Sequence, residues 1–391
     1  MPVTLKQLAR ELGLHHSTVA YALSGKGTVK QATRLRVKEA AVRNGYVPNG
    51  LARRMRSRRT QLIGLVVPDV LVNYNEFIQQ TFRGAHGRGY DAQIALTEFN
   101  AELEDQAVRF LMESRVDGII LRSGFFSWDK VPRDHALRQL VAQDVPAITY
   151  GVPIEGSPFP CLPFPNLRQG QVLADHLLNL GHRQLAWLLP VGAPLTKPQH
   201  LNRIEGTRRA MVAAGVDPDT NLQIVTLPPD AEEPVGTNGG GAGAAGHDEV
   251  HLDYLREALP RSGVRRGRQL MRLAMALSPR PTAVLCLHEA TAIGAIVEAQ
   301  RMGLKVPQDV AVVASNRGVA ADVAPMSLTT ADVVSAQAAK FALDLLLETV
   351  DRREARVKRG AAGTADGGEE GAALPKYELD AALVIGRSTT G

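Results

Sequence analysis

Beyond Thr60 the chain alternates short apolar runs with stretches whose apolar residues recur at helical spacing. The runs at 62–68 (LIGLVVP), 91–97 (DAQIALT), 116–123 (VDGIILRS), 146–152 (PAITYGV), 184–190 (QLAWLLP), 223–227 (QIVTL), 282–287 (TAVLCL) and 310–315 (VAVVAS) predict strands. Helices are predicted between them, near 75–88, 103–114, 168–180, 203–214, 290–302 and 333–350. Strands that are apolar throughout, rather than on alternate residues, must be covered on both faces, which is the habit of parallel sheets flanked by helices. Two such sheets, and hence a two-lobed α/β body, fit the sequence.

The first residues follow a different rhythm. Leu5, Leu8, Ala9 and Leu12 line one helical face, and Thr4 with Gln7 forms a capping box over the first orphan N–H groups. Gly13 suits the left-handed residue that ends this helix of about 5–12, and Leu14 turns back toward the interior. A second helix follows with Val19, Ala22 and Leu23 inward, then a third over about 31–44 that buries Val37, Ala40 and Ala41 and ends at Asn44–Gly45. The pattern is an all-α helix-turn-helix head. On the outward side of its second helix lie His16, Ser17, Thr18 and Tyr21, short or planar groups able to reach base edges in a major groove. Packing of the Tyr21 ring on the third helix is the alternative.

Composition sharpens this division. At 391 residues and 45% hydrophobic, the chain is long enough for two or three domains. Residues 1–60 hold thirteen Lys or Arg against Glu11 and Glu39, a net of +11, and the remainder holds 32 basic and 38 acidic residues, a net of −6. A basic head on an acidic body is the electrostatic footprint of nucleic-acid binding, with a merely solvated basic surface as the alternative. No membrane-spanning run and no apolar leader is found in the sequence, so a cytoplasmic protein is expected. Cys161 and Cys286 sit far apart in apolar settings, which predicts neither a disulfide nor a metal site. The stretches 228–249 and 359–373, rich in Gly, Ala and acid, read as disordered inserts.

Catalytic patterns are weak. HEATA from His288 is one residue short of a zinc-binding H-E-x-x-H, no G-x-S-x-G elbow is present, and the glycines at 239–241 precede no phosphate-loop Lys. His182 reads as a helix-end hydrogen-bonding group. No enzymatic role and no cofactor is expected.

The segments TLKQLARELGLHHSTVAYALSGKG, NGYVPNGLARRM, VDGIILRS, GHRQLAWL, NRIEGTRRAM and RPTAVLCLHEATAIGAIVEAQRMGLKVPQDVAVVASN together resemble the LacI/GalR family of bacterial transcription repressors. That resemblance implies a helix-turn-helix head over 1–48, a hinge helix or linker over 49–61, and a bilobed, periplasmic-binding-protein-like body over 62–391 that dimerises and holds a small-molecule effector, such as a sugar, in its cleft. It implies a homodimer, or a tetramer, on a pseudo-palindromic double-stranded operator, and no membrane partner. On DNA it implies contacts from His16, Ser17, Thr18, Tyr21, Lys26, Arg34, Asn49, Ala52, Arg53, Met55 and Arg56. Met55 stands where relatives insert a leucine between base pairs, so it is expected to wedge a base step or, alternatively, to pack only on its dimer mate. The arginines around it repel one another in a free helix, so the hinge is expected to fold only on phosphates. In the cleft the resemblance points to Asn73, Tyr74, Ser123, Arg203, Glu289 and Asn316, with a salt bridge at a helix start as the other role for Arg203. Departures are His15 for a usual capping serine, Ser24 for asparagine, Pro165–Asn166 for Asp-Asn, His288–Glu289 for Asn-Asp and Asn316 for Asp. They leave open a repressor without an effector; a bilobed solute receptor is the more distant alternative.

Overall fold

A computed structural model of the chain describes residues 3–24, 28–46, 59–68, 74–98, 100–190, 198–227, 260–316, 326–333, 335–361 and 377–390. The chain divides into two compact units, Met1–Thr60 and Gln61–Gly391.

In the first unit, α1 (Leu5–Leu12), α2 (His16–Ser24) and α3 (Gln31–Arg43) enclose a core of Leu8, Ala9, Val19, Ala22, Val37, Ala40 and Ala41. The capping box forms as the sequence predicts: Gln7 N–H donates to Thr4 Oγ1 at 3.3 Å and Thr4 N–H donates to Gln7 Oε1 at 2.8 Å. Gly13 takes φ +64°, a left-handed turn that glycine adopts without a Cβ penalty. Glu11 ties α1 to the end of α3, accepting from Arg43 at 2.9 Å and from Asn44 at 2.8 Å.

The second unit holds two sheets. Lobe 1 is built on β1 (Leu62–Val67), β2 (Asp91–Leu96), β3 (Gly118–Leu121), β4 (Ala147–Gly151) and β5 (Cys161–Pro163), in the order β2-β1-β3-β4-β5 and wholly parallel. Its helices are α4 (Asn75–Gly87), α5 (Ala101–Glu113) and α6 (Ala136–Ala142). Lobe 2 begins with α7 (Asn166–Asn179), β6 (Leu185–Leu189), α8 (Pro198–Ala213) and β7 (Leu222–Thr226). It continues with α9 (Pro260–Met275), β8 (Ala283–Cys286), α10 (Glu289–Arg301), β9 (Ala311–Ala314) and β10 (Thr329–Val333). After β10 the chain returns to lobe 1 as α11 (Ser335–Ala361), then completes lobe 2 with β11 (Ala381–Val384), which is antiparallel to β10 in the order β11-β10-β9-β8-β6-β7.

Both faces of each sheet are covered, which is why the strands read as continuous apolar runs. In β1, Ile63, Leu65 and Val67 join the core under α4 and α11, and Leu62 and Val66 join the one under α5 and α6. In lobe 2, Ala186 and Leu188 face α9 and α10 whereas Leu185, Trp187 and Leu189 face α7 and α8. Ala342, Leu343 and Leu346 of α11 are buried with Ile63, Phe77 and Ile120, so lobe 1 depends on a helix placed between two strands of lobe 2.

Seven elements lie outside the sequence prediction: α6, α9, β5, β10 and β11, the single turn Pro218–Asn221 and the 3-10 turn Trp128–Lys130. One expectation is corrected: residues 359–361, assigned to the second insert, are the last turn of α11. The i,i+4 pairs Arg352–Glu348 and Lys358–Glu354, with alanine and basic residues of high helix propensity, carry the helix past its last buried apolar residue, Val350. Residues 228–249 and 362–373 lie outside the described residues. Among the described residues, no helix is long and apolar enough to cross a membrane.

Candidate DNA-reading helix and ligand cleft

The core of the first unit fixes which side of α2 is free. Val19 and Ala22 are wholly buried, so residues on the other side of the helix are turned out: His16 and Tyr21 are exposed, with Tyr21 at 52%, and Ser17 and Thr18 are half-buried. That exposure favours the base-contact role of Tyr21 over burial on α3. His15 takes the place of a capping serine with its ring, because Nδ1 lies 3.4 Å from Ser17 N and 2.8 Å from Ser17 Oγ. The ring also lies 4.1 Å, centroid to centroid, from that of His16. Arg34 is half-buried on α3. Lys26, Asn49, Ala52, Arg53, Met55 and Arg56, and with them residues 49–58 of the hinge or linker expected over 49–61, lie outside the described residues, as does Asn73 in the body.

In open α/β sheets, ligands bind beyond the carboxyl ends of the strands. At that end of lobe 1, β3 runs into Arg122 and Ser123, exposed by only 5% and 1%. Ser123 Oγ donates to Glu104 Oε1 at 2.7 Å, accepts from Phe125 N–H at 3.0 Å, and is thereby committed to the fold. The other carboxylate oxygen of Glu104 accepts from Gly124 N–H at 2.8 Å. Burial of Glu104 in α5 raises its pKa to about 7, against the opposing pull of the Gly124 and Ser123 hydrogen bonds and the Arg122 charge. Near the end of β4, Tyr150 stacks on Phe77 at 3.9 Å and meets Phe164 edge-on at 4.8 Å. Burial is also the main reason that the Tyr150 phenol titrates well above its ordinary value. Gly151, at φ +100°, lets Phe164 and Arg122 approach, since a Cβ there would stand 2.9 Å and 3.1 Å from them. Tyr74, just before α4, is buried in the same aromatic group rather than turned out.

In lobe 2 the polar groups form a chain. Arg203 of α8 donates from Nε to Gln169 Oε1 at 3.2 Å and from Nη2 to Asn316 Oδ1 at 3.4 Å. Gln169 of α7, fully buried, donates in turn to Ser315 O at 2.6 Å and to Ala331 O at 3.1 Å. Asn316 Nδ2 lies 3.4 Å from Nδ1 of His288, and Glu289 follows as the first residue of α10, buried to 8% exposure. The close crossing of α7 and α8 makes this possible: a Cβ on Gly170 would collide with the carbonyl oxygen of Arg203, and one on Gly206 with that of Leu167. The structure thus brings Arg203, Asn316 and the His288–Glu289 pair together, and holds the Ser123 hydroxyl inward. Sequence reasoning missed Glu104, Arg122, Tyr150, Phe164 and Gln169. The available signal was a lone cation ending the apolar run of β3, and an amide, Gln169, at helical spacing with Leu173 and Leu177 on the inner face of α7.

Each lobe therefore holds a buried arginine among polar groups, Arg122 after β3, donating to Ser123 O at 2.7 Å, and Arg203 on α8, a suitable lining for a small polar molecule. A helix-turn-helix unit followed by such a two-lobed body defines a DNA-binding regulator of the receptor-linked kind. Residues 4–49 match the bacterial regulatory proteins of the lacI family, and residues 174–362 match the periplasmic binding protein-like domain. The head therefore carries the domain of the lacI family of bacterial regulatory proteins, and the second lobe from within α7 through β10, together with α11, falls in the periplasmic binding protein-like match. It is 27% identical over 331 residues to the HTH-type transcriptional regulator DegA of Bacillus subtilis, covering 84% of this chain and 86% of the relative. It is 26% identical over 355 residues to the ribose operon repressor of Escherichia coli, covering 89% and 93%. Among solved structures, the lac repressor dimer bound to operator and the anti-inducer ONPF superposes with a TM-score of 0.69 at 20% identity over 100% of both chains. The regulator CelR in complex with cellobiose gives 0.58 at 22% identity over 99% of both.

Proposed function

We propose that the protein is a transcription regulator of the repressor type that binds a pseudo-palindromic operator as a homodimer and changes its DNA affinity when a small metabolite, such as a sugar, occupies the cleft of the body. The observation that carries this reading is α2, whose inner side forms the core of the head while His16, Ser17, Thr18 and Tyr21 stay on its outer side. In this reading those side chains read base edges, the surrounding cations bind phosphates and supply salt-dependent affinity, and Met55 wedges the central base step. The protein is a regulator rather than an enzyme, and works in the cytoplasm, where the operator is.

In the cleft, Arg122 and Arg203 with the Gln169–Asn316 amides would hold polar groups of the effector, and Phe164 would supply an apolar wall. The effector acts on DNA binding only if it favours one arrangement of the lobes over another. Operator selection from randomised DNA tests the first half: a two-fold symmetric consensus is expected, and enrichment of no sequence would refute it. A thermal-shift screen of sugars, nucleosides and central metabolites tests the second. The commitment of Ser123 to Glu104 favours a second reading, a dimeric repressor without an effector, and stabilisation by no compound would select it.

A further inference from the structure

At the amino end of β4, the end of the lobe 1 sheet opposite the one that carries Arg122 and Tyr150, a cavity of about 300 Å³ opens between α6, the segments 144–147 and 158–160, and the last part of α11. Its size suits a molecule of roughly ten non-hydrogen atoms, since a water takes about 30 Å³. Leu140, Val145, Ala147 and Phe159 form its apolar wall. Phe159 is fixed by the edge-on ring of Trp128 at 5.6 Å, and Trp128 by the Arg138 guanidinium 4.7 Å from its centroid.

Several polar groups of this wall are already used. Pro146, Pro158 and Pro160 have no N–H, and the carbonyls of Pro146 and Pro160 accept from Ile119 N–H at 2.9 Å and Thr149 N–H at 2.8 Å. Val145 N–H donates to Leu140 O at 2.8 Å, and the Thr349 hydroxyl to Leu345 O at 2.7 Å. The rim is cationic. Arg353 and Arg356 share the single carboxylate of Asp144, leaving an excess of one positive charge. Arg356 hydrogen-bonds that carboxylate, whereas Arg353 Nε approaches it only to 3.4 Å and is buried with no hydrogen-bond acceptor. A buried N–H donor beside an apolar hollow is completed by an anion with an apolar body.

We infer that this cavity is a second ligand site, distinct from the cleft, that takes a small organic acid with its apolar body against Phe159 and Leu140 and its carboxylate on Arg353 and Arg356. Asp144 holds the place of that carboxylate when the site is empty. The inference does not rest on operator binding or on an effector in the cleft.

Calorimetric titration of the full-length protein at low salt tests it, with phenylacetate, benzoate and hexanoate as probes, and phenylacetamide and inorganic phosphate as comparisons. At least one acid is expected to bind one per chain, about tenfold more tightly than the neutral amide, the worth of one charged hydrogen bond. The double variant R353Q/R356Q is expected to lose about that factor. V141W, which fills the rim from an exposed position, is expected to abolish binding. Three results would overturn the inference: no acid binds; an acid binds equally well to both variants, as an acid in the cleft would; or phosphate binds as tightly as the aryl acids, which would leave the apolar wall without a role.

Discussion

The two lobes anchor their cleft arginines in opposite ways. In lobe 2, Arg203 leans on neutral amides, Gln169 and Asn316, and Gln169 is in turn held by the carbonyls of Ser315 and Ala331. In lobe 1, Arg122 stands beside a buried carboxylate, Glu104, whose pKa burial lifts to about 7. A network of amides stays the same across the neutral pH range; one built on a buried carboxylate changes charge within it. The same fold thus sets one cleft arginine against neutral amides and the other near a buried carboxyl that titrates.

The comparison can be broken at several points. The largest effect is expected from Gly206→Val, which forces α8 away from Leu167 and should lower stability to urea by about 3 kcal/mol or more, since overpacked backbone contacts cannot relax cheaply. Next is Glu104→Gln. A carboxyl whose folded pKa lies above its unfolded one contributes stability that is fully present below pH 4.5 and lost as pH rises toward 7. The stability difference between wild type and variant should therefore shift by on the order of 3 kcal/mol across that window in the variant's favour, measured by denaturation at each pH. A constant difference would mean that Glu104 keeps an ordinary pKa. Arg203→Met should cost about 2 kcal/mol by leaving the Gln169 side-chain oxygen without its donor and taking from Asn316 Oδ1 one of its two donors. If the lobes are independent, the pH-dependent swing of Glu104 survives in that variant unchanged; a double-mutant cycle reads any coupling. The smallest effect on stability, within about 0.5 kcal/mol, is expected for the exposed Tyr21→Ala, which should instead alter base preference by about 1 to 3 kcal/mol at one half-site position.

What could be read from sequence follows from where the information lies. The inner strands β1, β3, β4, β6, β8 and β9 are buried on both faces and announce themselves as apolar runs. β5 is three residues ending in proline, β10 begins with two threonines, and β11 is an antiparallel edge, so none carries such a run. α9 was missed because its start, PRSGVRRGRQ, looks like an extension of the Gly-rich insert before it; its apolar residues Leu270, Met271 and Ala274 face one side only. In the head, the core and the capping box of α1 are local and legible, whereas the His15 ring over the start of α2 is not. In lobe 2, Arg203 and Asn316 are pointed out by resemblance, and the structure pairs them at 3.4 Å. Gln169 is not pointed out, because its role depends on carbonyls more than a hundred residues away, as the Glu104–Ser123 pair depends on the return of the chain from α5 through β3.

The placement of α11 has a consequence for gene shuffling. The polypeptide passes between the lobes after β5, again after β10, and a third time between α11 and β11. A crossover at any single site would leave one lobe with a foreign strand or without the helix that covers its sheet. To exchange a sensing lobe with a relative, recombination must join three breakpoints at once. Point substitutions at the strand ends are therefore the easier route by which such a chain acquires a new ligand.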